Sequence, residues 1–308
     1  MKVYRSIKNF PSEINTIVTI GTFDGVHKGH QAVINRLNDI AKQEELQSLL
    51  LTFHPHPRHV IYPDDQELKL INTIEEKIDL LKCTGLQNLV IHEFSKEFSR
   101  INSINFIRDI LVGNLNMKYM VVGFNHHFGK NRQGTFESLV EFSELYDFKI
   151  EKIDSQNYGD TIISSTKVRA AIHKGDFRKV NSFLGSNFCL KGKVIKGNNI
   201  GIKIGFPTAN ISQDNEWKIL PKNGVYAVKV WLNSQNYFGM LNIGNRPTIL
   251  DNNFVIEVHL FDFDSIIYNQ ELKIEFIQRI RDEIKFSNMK KLKYQLEIDQ
   301  KKCKKILI

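Results

Sequence analysis

The sequence has few cysteines and no long apolar run, and these absences narrow the class of protein. Its three cysteines, Cys83, Cys189 and Cys303, are far apart and include no Cys-x-x-Cys pair, so neither a disulfide framework nor a zinc knuckle is expected. No stretch approaches the roughly 18 consecutive apolar residues of a membrane span, and residues 1–11 lack the apolar core of a secretion signal. We therefore expect a cytoplasmic protein that neither crosses nor binds a membrane.

Proline is also scarce, and the composition shows no sign of disorder. The chain has 308 residues, of which 7 are Pro, 42% are apolar and 25% are charged, a balance typical of folded globular proteins. A chain of this length exceeds what one hydrophobic core usually organises. Two domains are therefore expected.

Acidic residues are too few to balance the basic ones, and the formal net charge is +8. Part of this excess lies in residues 287–308, which carry seven lysines against Glu297 and Asp299. The apolar residues of this segment follow a helical spacing: Met289, Leu292, Leu296, Cys303 and Ile306. We predict a terminal helix with a solvated lysine face, capped by Ser287. A nucleic-acid surface is the alternative, although we expect no nucleic-acid partner.

Short apolar runs alternate with helical patterns in the first half of the chain. The runs predicted as strands are Thr16–Ile20, Ser48–Phe53, Asn88–His92, Lys118–Gly123 and Phe148–Ile153. Two helices, Thr166–His173 and Asp176–Leu184, close this half, each followed by a glycine. This alternation predicts an α/β domain with a parallel sheet and crossover helices.

After Gly185, predicted strands follow one another with only turns between them. They are Phe188–Ile195, Gly224–Trp231, Tyr237–Ile243, Phe254–Phe263 and Glu271–Ile277. Successive strands without helices predict an antiparallel β-barrel, finished by the terminal helix. The predicted domains are therefore residues 1–186 and 187–308.

The segment from Thr19 to His30 reads TIGTFDGVHKGH and joins the first predicted strand to the first helix. Glycines at 21, 25 and 29 let the backbone approach a bulky anion, and a helix N-terminus offers unpaired N–H groups with partial positive charge. His27 and His30 are three residues apart at the helix start, so their imidazoles point to the same side. Two such donors suit the charge that grows on a phosphate under attack.

Two strings in the second half also carry chemistry. In GIKIGFPTAN, residues 201–210, Thr208 and Asn210 face the same side of an extended chain and offer hard oxygen ligands for Mg²⁺. In VIEVHLFDF, residues 255–263, Glu257 and His259 share one face of the predicted strand. A carboxylate near a metal-bound triphosphate suits phosphoryl transfer to an alcohol.

The segment TIGTFDGVHKGH at 19–30 closely resembles the signature of the adenylyltransferase and cytidylyltransferase superfamily, which has a Rossmann-like fold. Three further strings are similar to those of prokaryotic FAD synthetases: TFHPHP at 52–57, VVGFNHHFG at 121–129 and ISSTKVR at 163–169. The second half resembles riboflavin kinases in GIKIGFPTAN, in GMLNIGNRPT at 239–248, in VIEVHLFDF and in RIRDEIKF at 279–286. Both halves stand in the order of the bifunctional riboflavin kinase and FAD synthetase family.

The resemblance implies that the kinase half converts riboflavin and ATP to FMN, and that the first half converts FMN and ATP to FAD and pyrophosphate, both with Mg²⁺. It implies catalytic roles for His27 and His30 on the α-phosphate, and for Glu257 as general base. The implied ATP-binding residues of the adenylyltransferase are Gly21, Phe23, Asp24, Gly29, Asn125, Ser164, Ser165, Thr166 and Arg169. Those of the kinase are Gly201, Gly205, Thr208 and Asn210, the last two also binding Mg²⁺. The implied flavin-binding residues are Pro57, Arg58, Arg246 and Arg281.

The chain departs from the family pattern at Ile202, where an arginine is usual, and Lys203 is a partial substitute. His54, His56, His126 and His127 suggest a metal cluster, but pocket lining is the preferred interpretation. Two other functions stay open on the sequence: an adenylyltransferase whose second half binds flavin without catalysis, and a flavin-sensing or nucleic-acid-binding protein. A homo-oligomer is compatible with the sequence.

Overall fold

The computed structural model describes residues 1–308 except 66, 125–128, 130–133, 160, 198–200, 214 and 246–253. The chain forms two compact units, residues 1–165 and residues 166–308. Helices predicted to close the first half thus group with the second unit. The boundary near residue 186 between the two activities stays a prediction.

The first unit is built on a six-stranded parallel sheet in the order β1-β4-β3-β2-β5-β6. Its strands are β1 (Lys2–Tyr4), β2 (Thr16–Ile20), β3 (Gln47–His54), β4 (Asn88–Glu93), β5 (Met117–Gly123) and β6 (Lys149–Ile153). A separate antiparallel pair follows, β7 (Asn157–Tyr158) and β8 (Thr161–Ile162). The predicted parallel sheet is confirmed. The edge strand β1 was not predicted, because three residues are too few to show a pattern.

Helices connect the parallel strands. They are α1 (Lys28–Gln43), α2 (Pro57–Ile61), α3 (Ile74–Lys82), α4 (Ser103–Asn105), which continues as a π-helix (Phe106–Asn114), and α5 (Phe136–Tyr146). Short 3₁₀ turns lie at Ile7–Asn9 and Phe98–Arg100.

Both faces of the parallel sheet are buried. All five residues of β2 are buried, as expected for a strand with helices on either side. Val18 and Ile20 belong to one apolar cluster and Ile17 to another, because alternate side chains of a strand point to opposite faces. The second cluster includes the predicted stripe of α1: Val33, Ile34, Leu37, Ile40 and Ala41.

The second unit begins with α6 (Ser165–Lys174, whose first residue belongs to the first unit) and α7 (Phe177–Leu184). Six antiparallel strands then form a closed barrel in the order β10-β13-β12-β11-β14-β9. They are β9 (Cys189–Ile195), β10 (Ala209–Ser212), β11 (Gly224–Leu232), β12 (Gln235–Asn245), β13 (Phe254–Leu260) and β14 (Glu271–Arg281). A 3₁₀ turn lies at Gly201–Ile204, and α8 (Met289–Leu307) ends the chain. The predicted barrel and terminal helix are confirmed.

Aromatic packing joins α7 to the barrel. Phe177 lies 5.1 Å from Phe276 of β14 and 5.4 Å from Tyr226 of β11, ring centre to ring centre. The predicted cap of α7 is present, since Asp176 accepts a hydrogen bond from the N–H of Lys179. This packing explains why α7 groups with the barrel.

The terminal helix differs from the prediction at its start. Asn288, not Ser287, caps α8 by accepting a hydrogen bond from the N–H of Lys291, and Met289 is exposed. Leu296, Cys303 and Ile306 do pack in an apolar cluster with barrel residues. None of the helices within the described ranges is both long and apolar enough to cross a membrane.

Candidate active site

The sheet topology of the first unit brings several predicted strings to one edge. From β2 the chain goes to β3 on one side, and β5 lies on the other side of β2. The carboxyl ends of strands at such a reversal form the usual ligand crevice of an open α/β sheet. The segments that leave β2, β3 and β5 there are three of the predicted strings: 19–30, 52–57 and 121–129.

The loop from Gly21 to Val26 has an unusual backbone. Phe23 and Val26 adopt φ values of 45° and 41°, a region that bulky residues rarely occupy and that costs free energy. Both side chains are buried. Gly25 has φ 91°, and a Cβ there would lie 2.9 Å from Ile71. The local strain is therefore held in place by the surrounding core, as is common at functional sites.

His27 and His30 form a stacked pair at the start of α1. Their ring centres are 3.6 Å apart with the planes at 16°, and the Phe23 ring stacks on His30 at 4.5 Å. His27 is the N-cap, because its Nδ1 accepts a hydrogen bond of 3.3 Å from the backbone N–H of His30. A Cβ on Gly29 would stand 3.1 Å from the His27 ring, so the glycine gives this ring its room.

The environment of His30 favours a neutral imidazole. Burial, then the neighbouring His27 and then Lys77 lower the pKa of His30 well below its ordinary value. Its Nδ1 is buried and has no hydrogen-bond partner among the described residues. A buried ring nitrogen without a partner costs free energy in the protein alone, so it is suited to a ligand.

Asp24 orders the loop from within. Its side chain is 2% exposed, and its carboxylate accepts hydrogen bonds from the backbone N–H groups of Ile71 at 3.0 Å and Asn72 at 3.2 Å. These bonds tie the loop to the start of α3. The contacts of Asp24 give it a part in shaping the site, and its binding to ATP stays a prediction.

The string at 163–169 also reaches this loop. The hydroxyl of Ser165 donates a hydrogen bond of 2.8 Å to the backbone carbonyl of Asp24, and the carbonyl of Ile163 lies 3.9 Å from where a Cβ on Gly29 would stand. Two strings more than 130 residues apart thus meet, as the predicted site requires. Ser164 lies just before α6, and Thr166 and Arg169 lie in its first turns.

The predicted flavin residues of the first unit lie after β3. Pro57 begins α2, with His56 as its N-cap. Arg58 donates to Asp65 at 2.7 Å in an exposed ion pair. Asn125, His126 and His127 lie outside the described residues, and so does Arg246 of the second unit.

In the second unit, the PTAN string runs from a tight turn into β10. Gly205 has φ 85°, and the N–H of Phe206 donates to the carbonyl of Gly201 at 2.9 Å. A Cβ on Gly201 would stand 2.1 Å from the Phe206 carbonyl and 3.6 Å from Oγ1 of Thr208. Glycine at 201 is therefore needed for the turn to close beside Thr208. The strand β10 was not predicted, because its four residues are too few to show an alternating pattern.

Strand pairing brings the predicted metal ligand and the predicted base together. Asn210 of β10 stands directly opposite Glu257 of β13, so their Cβ atoms are neighbours. Ile256 and Val258 on the other face are buried, which confirms the predicted alternation of β13. The structure thus joins two strings that are 47 positions apart in the sequence.

Thr208 and Asn210 carry oxygen atoms of the kind that bind magnesium. A Cβ on Gly197 would stand 2.0 Å from Nδ2 of Asn210. A larger residue at 197 would therefore clash with the Asn210 amide. Asn210 is mostly buried and Thr208 half-buried. A hydroxyl and an amide oxygen, together with nucleotide phosphates and water, are ligands that Mg²⁺ accepts.

His259 contributes to the same turn, a role that the sequence analysis did not predict. Its Nδ1 lies 2.7 Å from the carbonyl of Pro207, so the ring carries the proton on that nitrogen. Burial lowers the pKa of His259. The ring therefore holds the segment before Thr208 in place.

Arg281 is engaged in the fold. Its guanidinium donates to both carboxylate oxygens of Asp299 on α8, at 3.1 and 2.9 Å, and Asp299 is fully buried. This ion pair joins β14 to α8. The flavin-binding role of Arg281 stays a prediction, and the observed contacts show a structural one.

Comparisons with known proteins match both units. A family model described as FAD synthetase covers residues 10–167, and one described as riboflavin kinase covers residues 184–307. The bifunctional riboflavin kinase/FMN adenylyltransferase of Bacillus subtilis (strain 168) is 37% identical over 94% of this chain and 92% of the relative. The protein of the same description from Escherichia coli (strain K12) is 34% identical over 97% of this chain and 96% of the relative.

A solved structure covers nearly the whole chain. It is described as a macrolide-efflux protein from Streptococcus pneumoniae, is 30% identical and has a TM-score of 0.89 over 97% of each chain. The fold of both units is therefore one that has been seen in a crystal.

Proposed function

Because the chain belongs to the family of bifunctional riboflavin kinase/FMN adenylyltransferases, we propose how its own residues perform the two reactions. Residues 187–308 phosphorylate riboflavin with ATP to give FMN and ADP. Residues 1–186 then transfer the adenylyl group of a second ATP to FMN, giving FAD and pyrophosphate. The observation that carries the assignment of the second step is the stacked pair of His27 and His30 at the start of α1.

In adenylyl transfer, an oxygen of the FMN phosphate attacks the α-phosphate of ATP and pyrophosphate leaves. Negative charge grows on the α-phosphate, and donors already in place stabilise that charge without rearrangement. His27, His30 and the N-terminus of α1 supply these donors. No side chain needs to form a covalent intermediate, so positioning and electrostatics provide the acceleration.

The remaining residues that the resemblance implies act on ATP in this proposal. Gly21, Gly29 and Phe23 shape the loop beside the imidazole pair, and Asn125, which lies outside the described residues, binds ATP in this proposal. The hydroxyls of Ser164, Ser165 and Thr166 and the guanidinium of Arg169 bind the β- and γ-phosphates of ATP in this proposal. The link between Ser165 and the Asp24 carbonyl supports it.

In the kinase reaction, Glu257 takes the proton from the 5′-hydroxyl of riboflavin as that oxygen attacks the γ-phosphate. Thr208 and Asn210 would hold Mg²⁺, which when bound neutralises the phosphates. Gly201 and Gly205 form the turn beside the nucleotide. The direct pairing of Asn210 with Glu257 supports this arrangement, since it places base and metal ligand side by side.

Pro57 and Arg58 in the first unit, and Arg246 and Arg281 in the second, complete the proposal as flavin-binding residues. An adenylyltransferase with a non-catalytic second half is not favoured, because the riboflavin kinase model spans that half. We place both reactions in the cytoplasm, where thiols such as the exposed Cys83 stay reduced.

Chromatography of the products formed over time from riboflavin, ATP and Mg²⁺ tests the proposal. We expect FMN to appear first and FAD to follow, with ADP and pyrophosphate as co-products. If FMN forms but FAD does not, even with added FMN, the assignment of the first unit is wrong. If no FMN forms, the assignment of the second unit is wrong.

A further inference from the structure

Lys77 is a buried lysine on α3 that none of the assignments above uses. It is 6% exposed, and it lies on the same helical stripe as the apolar residues Ile74, Ile78 and Leu81. Lysine is almost never buried to this degree without a partner. Burial lowers the pKa of Lys77, while the charge of Asp24 opposes that change.

The ammonium group holds the strained loop. Nζ of Lys77 donates a hydrogen bond of 2.7 Å to the carbonyl of Thr22, which also accepts one of 3.4 Å from the Thr52 hydroxyl. Thr22 immediately precedes Phe23, whose φ is 45° and whose ring stacks on His30. Lys77 therefore anchors the residue next to the one that contacts the imidazole pair.

The same ammonium acts electrostatically on the imidazoles around the site. At His30 the charged neighbours are His27 from α1 and Lys77 from α3, and both lower its pKa after the larger effect of burial. His54 at the end of β3 has its pKa lowered by burial first and then by Lys77, against an opposing effect of Glu75. Asp24 from the loop faces Lys77 itself. One buried cation thus influences histidines from two elements.

We propose that Lys77 is a positioning residue for adenylyl transfer, which fixes the Thr22 carbonyl and supplies a buried positive charge behind the His27–His30 pair. This inference rests on the proposed function of the first unit. A cation behind the pair stabilises negative charge on the phosphate without requiring an imidazolium. His30 can then stay neutral beside His27, whose ring centre is 3.6 Å away, where two charged rings would repel.

Two substitutions separate the hydrogen bond from the charge. Lys77→Met removes both, whereas Lys77→Gln keeps a donor for the Thr22 carbonyl and removes the charge. Lys82→Met is the control, because Lys82 lies on the same helix but is exposed and forms a surface ion pair with Asp79. FMN formation by the second unit of each variant serves as the reference activity in the same preparation.

The measurements are the pH profile of kcat/KM for FAD formation from FMN and ATP, and the titration of His30 by NMR in the ligand-free protein. We expect Lys77→Met to lower kcat by about tenfold or more, since small misplacements of reacting groups carry penalties of that order. The Lys77→Gln variant should show a smaller decrease in kcat, because its amide can still donate a hydrogen bond to the Thr22 carbonyl. In both variants the pKa of His30 should rise, and the acid limb of the profile should move to higher pH.

An unchanged His30 titration in both Lys77 variants would overturn the electrostatic role, and an unchanged kcat in Lys77→Met would overturn the positioning role. If Lys77→Met does not fold by circular dichroism, Lys77→Gln decides the question. If the wild-type protein makes no FAD from FMN, the proposed function fails. The NMR titration still tests the effect of Lys77 on His30 in that case.

Discussion

Buried polar residues mark both proposed sites at the scale of single residues. In the first unit they are Asp24, His27 and Lys77, and in the second Asn210 and His259. Burying a polar group costs free energy unless it is bonded. Asp24, Lys77 and His259 bond to the backbone of nearby loops, and His27 caps α1. His30 is the exception, since its buried Nδ1 has no partner among the described residues.

His30→Ala should abolish FAD formation and leave FMN formation unchanged. Removing a donor to a developing oxyanion typically costs about 100-fold or more in kcat, and residues 187–308, which form FMN in the proposal, do not include His30. His173→Ala is the control, because His173 is exposed near the end of α6. Product chromatography measures both activities. An equal fall of both in a folded variant would show that the two steps do not use separate sites.

Glu257→Ala should have the reverse effect, because the riboflavin hydroxyl loses its base. General-base catalysis contributes about 100- to 10,000-fold, so FMN formation should fall by that order while FAD still forms from supplied FMN. Glu271→Ala at the exposed start of β14 is the matched control. Undiminished FMN formation by the Glu257 variant would remove this carboxylate from the base role.

At the scale of elements, α8 is held to the barrel by an apolar face and one buried ion pair. The apolar face contributes Leu296, Cys303 and Ile306. Cys303 is fully buried, and burial raises the pKa of its thiol to about 12, which makes it a packing residue. Arg281 and Asp299 contribute the ion pair, with a closest approach of 2.7 Å.

Asp299→Ala should destabilise the second unit by about 3 to 5 kcal/mol, because it leaves the guanidinium of Arg281 uncompensated in a largely buried place. Glu297→Ala removes an exposed carboxylate from the same helix and should change stability by less than about 0.5 kcal/mol. Urea unfolding of both variants provides the comparison. Equal midpoints for the two variants would contradict the importance of the buried pair.

At the scale of the whole molecule, each unit contains buried histidine that resists protonation. Burial lowers the pKa of His30 and His54 in the first unit and of His259 in the second. In the unfolded chain these rings take up protons near pH 6.5. Below that pH the unfolded state binds more protons than the native state, so acid favours unfolding.

Stability should therefore be fully present above about pH 6.5 and fall as the pH drops below that value toward the lowered native pKa values. Urea midpoints measured at pH 7.5 and pH 5.5 test this, at constant ionic strength. His259→Gln should weaken the pH dependence. A midpoint that rises on acidification would contradict the lowered pKa values of these rings.

The sequence by itself determined the main strands of each half and the order of the two folds. Apolar runs located five strands of the first sheet within one residue at each end, because a buried parallel strand must be continuously apolar. The strings at 19–30 and 201–210 identified the chemistry through their resemblance to adenylyltransferases and to riboflavin kinases. Elements too short for a pattern, such as β1 and β10, were missed for that reason.

Only the tertiary structure decided which of these strings meet. The strand order places the ends of β2, β3 and β5 at one edge, and barrel closure sets Asn210 opposite Glu257. The tertiary structure also showed that Arg281 pairs with the buried Asp299 and that Lys77 donates a hydrogen bond to the Thr22 carbonyl. Such contacts join residues tens of positions apart, and local periodicity carries no information about them, because it records only which side of its own element a residue faces.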